Sequence, residues 1–336
     1  MKILFVTKYI ESAGGISGQV RLLRDCLIKE GHVADVFSTE GNVFKRLCMF
    51  SQLMRKACGY DVIHIHCCSY VGFFSAILGV TVARRLGKRC ICTYHGGGAE
   101  SFFNRYTWLV KRYLNRTDAN IVLSGFLAQV FDKYGIKYHI IPNILEADDS
   151  HYRKRTTVSP RFISVRTLQP LYNVQCIIRA FAIVKEKIHD AILYILSDGP
   201  ERNKLEALVR ELNLSDVQFI GRVPNTDVYD FLDKADVFVS MPTIDNQPMS
   251  VLEAFKCGLL VISSRVGGVP YMVEDGKTGL LVESDNHIQL ASKMLYALSN
   301  QTQSLGMIIA GHNELAKYKW ENIKYKIYLL YCQQIE

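Results

Sequence analysis

The sequence predicts two doubly wound α/β domains facing a cleft. Three observations carry that prediction. Short β-branched runs alternate with helical patterns almost from end to end, as in a parallel sheet covered by helices on both faces. The alternation breaks once near the middle, in a polar stretch without periodicity, and then restarts. The length of 336 residues exceeds one ordinary core and suits two domains of roughly 150.

In the first half the strands read "KILFVT" (2–7), "VADVFS" (33–38), "DVIHIH" (61–66), "KRCICTY" (88–94), "NIVLS" (120–124) and "YHIIP" (138–142). Helical patterns lie between them, such as 17–30 and 70–86. The second contains the longest uncharged apolar run, 71–83, which ends at Arg84 and Arg85. It falls short of the roughly 20 residues a bilayer needs, so a buried helix is expected. The first domain is assigned to 1–145, a linker to 146–160 and the second domain to 161–318. In that second domain the strands are "FISV" (162–165), "AILYIL" (191–196), "VQFIG" (217–221), "DVFVS" (236–240), "LLVISS" (259–264) and "GLLV" (279–282). Helices are expected over 174–187, 200–212, 226–234 and 249–256. The tail, 318–335, reads as a further helix whose aromatic face needs something to pack on.

Composition narrows the function classes. Hydrophobic content of 49% and charged content of 21% describe an ordinary soluble protein. The N-terminal "MKILFVTKYI" reads as a strand, not a signal peptide, so a cytoplasmic location is expected. Ten scattered cysteines without metal-ligand spacing fit that location, and Cys90 and Cys92 read as small core residues on one strand face. The net charge of +8 favours phosphates, nucleic acid or an anionic membrane surface. The positives are spread along the chain, without the concentrated stripe of a nucleic-acid binder.

Ligands of such sheets bind at the C-terminal ends of strands. After the first strand, Gly14 and Gly15 open a helix, and could admit an anion or form a plain turn. His95 ends the fourth strand against three glycines; His64 reads as a core histidine, and His66 lies nearer the strand end. Arg166 follows the first strand of the second domain, where a forked, permanently charged donor suits a diphosphate. Asp198 and Gly199 lie in the next turn, and Arg222 and Val223 follow a third strand. Asp227, Asp230, Asp233 and Asp236 fall three apart, as on a solvated helix edge. In "TIDNQPMSVLEAF" (243–255), Asp245 stands on a loop and Glu253 about a turn inside a helix. The amides of Met249, Ser250 and Val251 at that helix start are expected to be free for phosphate. A capping Asp and a dipole-compatible Glu would give the same spacing.

The run "DNQPMSVLEAFKCGLLVISSRVGGVPYMVEDGKTGLLV" (245–282) resembles the donor-site signature of glycosyltransferase family 4. The resemblance extends through "GGISGQ" (14–19), "TYHGGG" (93–98), "IPNI" (141–144), "RTLQPLYNV" (166–174), "SDGPERNKLE" (197–206) and "FIGRVP" (219–224). It ends in "KWENIKYKIYLLY" (319–331), similar to the family's last helix, which crosses back to the first domain; residues 319–336 are assigned there. The resemblance implies the GT-B fold, with two Rossmann-like domains, and retaining transfer from a sugar nucleotide without a metal or cofactor. It implies that Glu253 takes the ribose, Asp245 the sugar, Arg166 the diphosphate, the backbone at Arg222–Val223 the base, and that His95 stands beside the reacting carbon. Three departures stand out. Asp245 replaces the usual Glu, Asn246 and Gln247 replace glycines, and Tyr172 stands where a second phosphate-binding Lys is common.

The expected partners are a sugar nucleotide, with uridine as base, and a glycan or lipid-linked acceptor. The segment "SFFNRYTWLVKRYLNR" (101–116) mixes aromatic and basic residues at helical spacing. It could rest on an anionic membrane surface or pack its aromatics inward. Two rival functions share the fold features: a sugar-nucleotide epimerase, and an inactive sugar-nucleotide-binding protein.

Overall fold

The computed structural model describes residues 1–11, 14–146 and 150–332. The chain divides into two compact units, Met1–Ala147 with Lys317–Glu336, and Asp148–Ala316. Residues 147–149 of the expected linker and 333–336 of the expected last helix lie outside the described residues.

The first unit holds β1 (Lys2–Thr7), β2 (Val33–Ser38), β3 (Val62–Cys67), β4 (Arg89–Tyr94), β5 (Ala119–Val122) and β6 (His139–Ile140). They pair in the order 2-1-3-4-5-6, every pair parallel. Its helices are α1 (Gly15–Lys29), α2 (Val43–Ala57), α3 (Phe74–Leu86), α4 (Ala99–Arg105), α5 (Thr107–Leu114), α6 (Gly125–Lys133) and, from the chain's end, α13 (Trp320–Cys332). Strand alternation sorts the core into two layers. Leu4, Val6, Ile63, Ile65, Cys90 and Cys92 face Leu53, Ala76, Val80 and Ala83 of α2 and α3. Ile3, Phe5, Val62 and Ile91 face Val20, Leu23 and Leu27 of α1 and Ile323, Ile327 and Leu330 of α13. The aromatic tail helix thus finds its packing surface on the first sheet. The apolar run 71–83 is a 3-10 turn at Tyr70–Phe73 leading into α3, and among the described residues no helix is long and apolar enough to cross a membrane.

The second unit holds β7 (Arg161–Val165), β8 (Ile192–Leu196), β9 (Val217–Gly221), β10 (Val237–Ser240), β11 (Leu260–Ser264) and β12 (Leu280–Val282). The order 12-11-10-7-8-9 is again all parallel, the dinucleotide-binding order of a doubly wound sheet. Its helices are α7 (Val174–Lys187), α8 (Arg202–Glu211), α9 (Val228–Asp233), α10 (Met249–Lys256), α11 (His287–Ser299) and α12 (Gln301–Glu314). The chain leaves β7 toward β8 and β9, then returns to β10 on the other side of β7. The two connections diverge at the C-terminal ends of β7 and β10, the switch point where such sheets bind ligands.

Residues 153–158, in the stretch read as a linker, are bonded into this unit. Arg155 donates to Asp236 Oδ1 at 2.7 Å and to the carbonyls of Ala235, Cys257 and Gly258, each at 2.6 Å. This corrects the expected solvated aspartate edge at Asp236, while Asp227, Asp230 and Asp233 are exposed as expected. Asp233 pairs with Arg153 at 3.2 Å, and Asp236 is buried between Arg153 and Arg155. The spacing of three is shared by a wet helix edge and a helix end running into the core, and only the strand start at Val237 separates them.

Candidate active site

Arg166 is the first residue beyond β7, and Asp245 lies on the loop after β10, so the switch point brings them together. The Arg166 guanidinium is ion-paired through Nη2 to Asp245 Oδ2 and donates through Nη1 to Ser250 Oγ at 3.2 Å. Its carbon lies 4.0 Å from the centre of the Tyr172 ring, a cation–π contact. Its Nε is buried and has no partner among the described residues. Tyr172 ends a 3-10 turn, Pro170–Tyr172, and Thr243 donates its amide to Leu171 O at 2.8 Å, fastening the β7 loop to the β10 loop. The residue that replaces a second cation is therefore the plate against which the first one lies flat.

Glu253 sits in α10, with its carboxylate near Arg166 and Lys256. Burial pushes the carboxyl above its ordinary range, and those two cations work against the rise. Its side chain meets no hydrogen-bond or ion-pair partner among the described residues, whereas Asp245 is paired. The two acids of the motif thus occupy different electrostatic states. The N-cap of α10 is Pro248, whose ring offers the first turn no side-chain acceptor. The expectation of a free amide at Val251 is corrected: Val251 donates its amide to Pro248 O at 3.1 Å, because the first turn is tightened. Asn246 and Gln247, in place of the family's glycines, are both buried.

Two glycines let these loops approach each other. Gly199 lies against the Leu168 backbone, where a Cβ would come within 2.5 Å of the carbonyl oxygen. Asp198 O accepts from Leu168 N at 3.1 Å, and Asp198 Oδ1 from Gly199 N at 2.8 Å. Gly267 has φ +52° and would place a Cβ 1.9 Å from Asp245 O. Gly267→Ala is therefore expected to push the Asp245 loop away and lower the thermal midpoint, because both a left-handed φ and a backbone clash oppose the methyl group. A melting curve for the variant checks this. Arg222 and Val223 follow β9, two strands from β7, about 10 Å across the sheet at normal strand spacing.

In the first unit Gly14 precedes α1 and Gly15 has φ +57°, with nothing within 4 Å of a Cβ built there. Ser12 and Ala13 of the same loop lie outside the described residues. His64 is a satisfied core histidine, as expected, 2.7 Å from Tyr331 Oη and 2.8 Å from Thr93 Oγ1. His66 Nδ1 lies 2.9 Å from His95 Nε2, and the two rings stack at 5.1 Å. Loss of solvation pushes His95 and His64 down to about 3 and His66 well below the usual imidazole range. All three rings are neutral at physiological pH. The aromatic, basic segment 101–116 is not one helix: α4 and α5 meet at Tyr106, with φ −127° and ψ 37°. Phe102 and Phe103 are buried, while Trp108 is 70% exposed and Arg112 lies over its ring.

The structure therefore gathers Arg166, Tyr172, Asp245, Ser250 and Glu253 around the second unit's switch point, and His66 with His95 at the first unit's strand ends. The Ser250 hydroxyl, the Gly267 contact and the Tyr172 stack escape a reading by motif alone. Only the glycine pair in "VGGVP" left a signal in the sequence.

Two family descriptions match the chain side by side. Glycosyl transferases group 1 matches residues 150–314, and Glycosyltransferase Family 4 matches residues 37–149. The chain is 24% identical to the alpha-monoglucosyldiacylglycerol synthase of Streptococcus pneumoniae, over 88% of this chain and 77% of that one. It is similar in fold to the sucrose-phosphate synthase of Thermosynechococcus elongatus, with a TM-score of 0.81, 20% identity and 98% of each chain covered. It is also similar in fold to Anabaena HepE, solved in complex with UDP-glucose, with a TM-score of 0.76, 17% identity and 98% of each chain covered.

Proposed function

The chain belongs to glycosyltransferase family 4 and has the GT-B fold, and from that premise we propose that it moves a sugar from a uridine diphosphate donor to a glycan or lipid-linked hydroxyl, with retention of configuration. The observation that carries this reading is the Arg166 guanidinium bonded to Ser250 in the first turn of α10, at the sheet's switch point. A forked cation and helix-start dipole at one point suit a diphosphate. Glu253, without a hydrogen-bond or ion-pair partner among the described residues, accepts from the ribose hydroxyls. Arg222 and Val223 meet the base, and Asp198, Gly199, Met249, Ser250 and Val251 line the donor between them.

Asp245 and the donor's diphosphate compete for one guanidinium. On donor binding Asp245 exchanges Arg166 for a hydroxyl of the sugar, and the diphosphate takes its place. Bond cleavage at the anomeric carbon leaves an oxocarbenium-like centre and a departing diphosphate, which Arg166 stabilises. The departing phosphate oxygen takes the acceptor's proton on the face it leaves, so the new bond forms with retention. Tyr172 carries no charge and contributes by holding Arg166 in plane. Gly14 and Gly15 let substrate approach the backbone at α1, and His95 meets a substrate hydroxyl as a neutral imidazole. No metal takes part in this scheme.

Calorimetric titration with uridine, guanosine, adenosine and cytidine diphosphosugars, in the presence of chelator, tests it. Binding of the uridine donor alone is expected, with heat unchanged by chelator. Binding of none, including the free diphosphates, would leave no donor site to defend. Bound donor that changes into an isomer without acceptor would indicate the epimerase, and bound donor that never turns over the inactive binder.

The similarity to a diacylglycerol-modifying synthase supports a lipid-linked acceptor, and the exposed face around Trp108 supports its delivery at an anionic membrane. Tyr70 and Val71 are exposed as well, and Arg105, Lys111 and Arg112 lie on α4 and α5. Trp108→Ala is expected to weaken co-sedimentation with phosphatidylserine vesicles at low salt by about tenfold, on the order of the interfacial anchoring one buried indole provides. Sedimentation equal to wild type would remove the membrane from the scheme.

A further inference from the structure

We propose that Asp285 is a positioning residue: it holds Asn173, and through Asn173 the Tyr172 ring against which the Arg166 guanidinium lies.

The starting point is a pair of backbone conformations. Asn173 has φ +46° and Asp285 φ +61°, two of the five positive values at residues other than glycine among the described residues. Asn and Asp tolerate the left-handed region better than most side chains, yet glycine is its ordinary occupant. Here the two side chains meet: Asn173 Nδ2 donates to Asp285 Oδ1 at 2.9 Å. A carboxylate only accepts, so the nitrogen of the amide must face it. Glycine at either place would relieve the backbone and lose the bond.

Asn173 forgoes a second role for that bond. It immediately precedes α7, where an Asn ordinarily keeps an extended backbone and its side-chain oxygen accepts from the first turn. Its ψ is +47°, and no such cap bond forms. Asp285, at the other end, stands on a braced loop between β12 and α11. Its neighbour Asn286 caps α11 by accepting from Gln289 N at 2.9 Å, and Glu283 N donates to Gln289 Oε1 at 2.6 Å.

What the bond holds is the 3-10 turn Pro170–Tyr172. Tyr172 N donates to Gln169 O at 3.0 Å and Asn173 N to Pro170 O at 3.2 Å, which makes the turn one body. Bonds from outside reach it on two sides. Thr243 donates its amide and its Oγ1 to Leu171 O, at 2.8 Å and 3.3 Å, and Asp285 accepts from Asn173. Thr243 follows β10 and Asp285 follows β12, so the turn hangs between two strand-end loops. Tyr172 lies between the anchors, with its ring centre 4.0 Å from the guanidinium carbon of Arg166. Without Asp285 the turn is free to pivot about Leu171, and the ring no longer fixes the guanidinium plane.

This inference rests on the transferase reading for what Arg166 does, but not for where the Tyr172 ring lies. Nuclear magnetic resonance of the full chain labelled with ¹⁵N-arginine reads the ring directly, because the ring current shifts the Arg166 Nε–H signal. Arg166→Lys supplies the assignment, and Tyr172→Leu the value without a ring. Asp285→Gly removes the acceptor and suits the left-handed φ, whereas Asp285→Asn keeps an acceptor and tolerates that φ. In Asp285→Gly the signal is expected to move toward the Tyr172→Leu value; in Asp285→Asn it is expected to stay at the wild-type position. A wild-type signal in Asp285→Gly overturns the proposal, whether or not any sugar nucleotide is a substrate. For turnover, Asp285→Gly is expected to lower kcat about tenfold, less than the roughly 10²-fold that a 1 Å misplacement can cost. The melting midpoint is expected to stay near wild type, and Asp285→Asn to restore kcat. Asn173→Gly is expected to match Asp285→Gly, and the double variant to lose no more than either, as for two ends of one contact. Additive losses, or full kcat in Asp285→Gly, would overturn the proposal.

Discussion

Replacing Arg166 by alanine is expected to lower kcat by about 10²- to 10³-fold, some ~3–4 kcal/mol of transition-state stabilisation, the usual worth of a donor aimed at developing charge. The loss falls on kcat because the charge on the diphosphate grows as the bond breaks. Donor affinity falls as well, since Nη1 and Nη2 both leave the site and the partly buried Asp245 carboxylate loses its counter-ion. Arg166→Lys is expected to fall between the two: it keeps the charge but loses the fork and the flat face that rests on Tyr172. Initial rates with the preferred donor check this, alongside circular-dichroism melts to confirm that each variant is folded. Turnover left intact in Arg166→Ala would move the phosphate site elsewhere.

The same geometry explains how the site manages without a second cation. A lysine at 172 would set an ammonium beside the guanidinium, and two unit charges 4 Å apart repel by about 4 kcal/mol at an effective dielectric of 20. A bound diphosphate would offset that repulsion; an empty site would not. Tyrosine gives up the second charge and gains a surface that fixes the first, while Asp245 is ion-paired to the guanidinium.

What was legible in the sequence follows a physical divide. Short apolar runs between turn residues mark strands in the core and at the sheet edge alike, so the buried β1, the half-exposed edge strands β2 and β9 and the helices α7 and α10 lie where the sequence pattern puts them. The helix α12 left no comparable mark: it carries Gly306 and Gly311, and Gly311 is there because the Phe255 ring would sit 2.6 Å from a Cβ. At the site, Arg166, Asp245 and Glu253 were legible because loops after parallel strands converge at a known place. Their mutual state was not. That Asp245 is paired while Glu253 meets no partner among the described residues depends on side-chain reach across loops 79 positions apart, which no local pattern encodes. The burial of Asp236, the last of the aspartate series, was hidden for the same reason, since Arg155 and Asp236 are 81 positions apart.

Arg155→Met is expected to destabilise the second unit by about 3–5 kcal/mol, the usual cost of removing one partner of a buried ion pair. The Arg155 side chain is 2% exposed and that of Asp236 is 9% exposed, so neither can exchange its partner for water. Truncation leaves the Asp236 carboxylate with Arg153 and the Ser159 amide, and strips the carbonyls of Ala235, Cys257 and Gly258 of a donor at 2.6 Å. Those carbonyls end the segments leading into β10 and β11, so the loss is felt at the strands that carry the Asp245 loop and α10. Urea unfolding of the full chain checks it, with the transition of the second unit moving to lower denaturant while its steepness holds. Adding Asp236→Leu to Arg155→Met separates charge from packing. If the cost is an uncompensated buried carboxylate, the double variant regains part of the lost stability; if it is the carbonyls alone, the second substitution regains nothing.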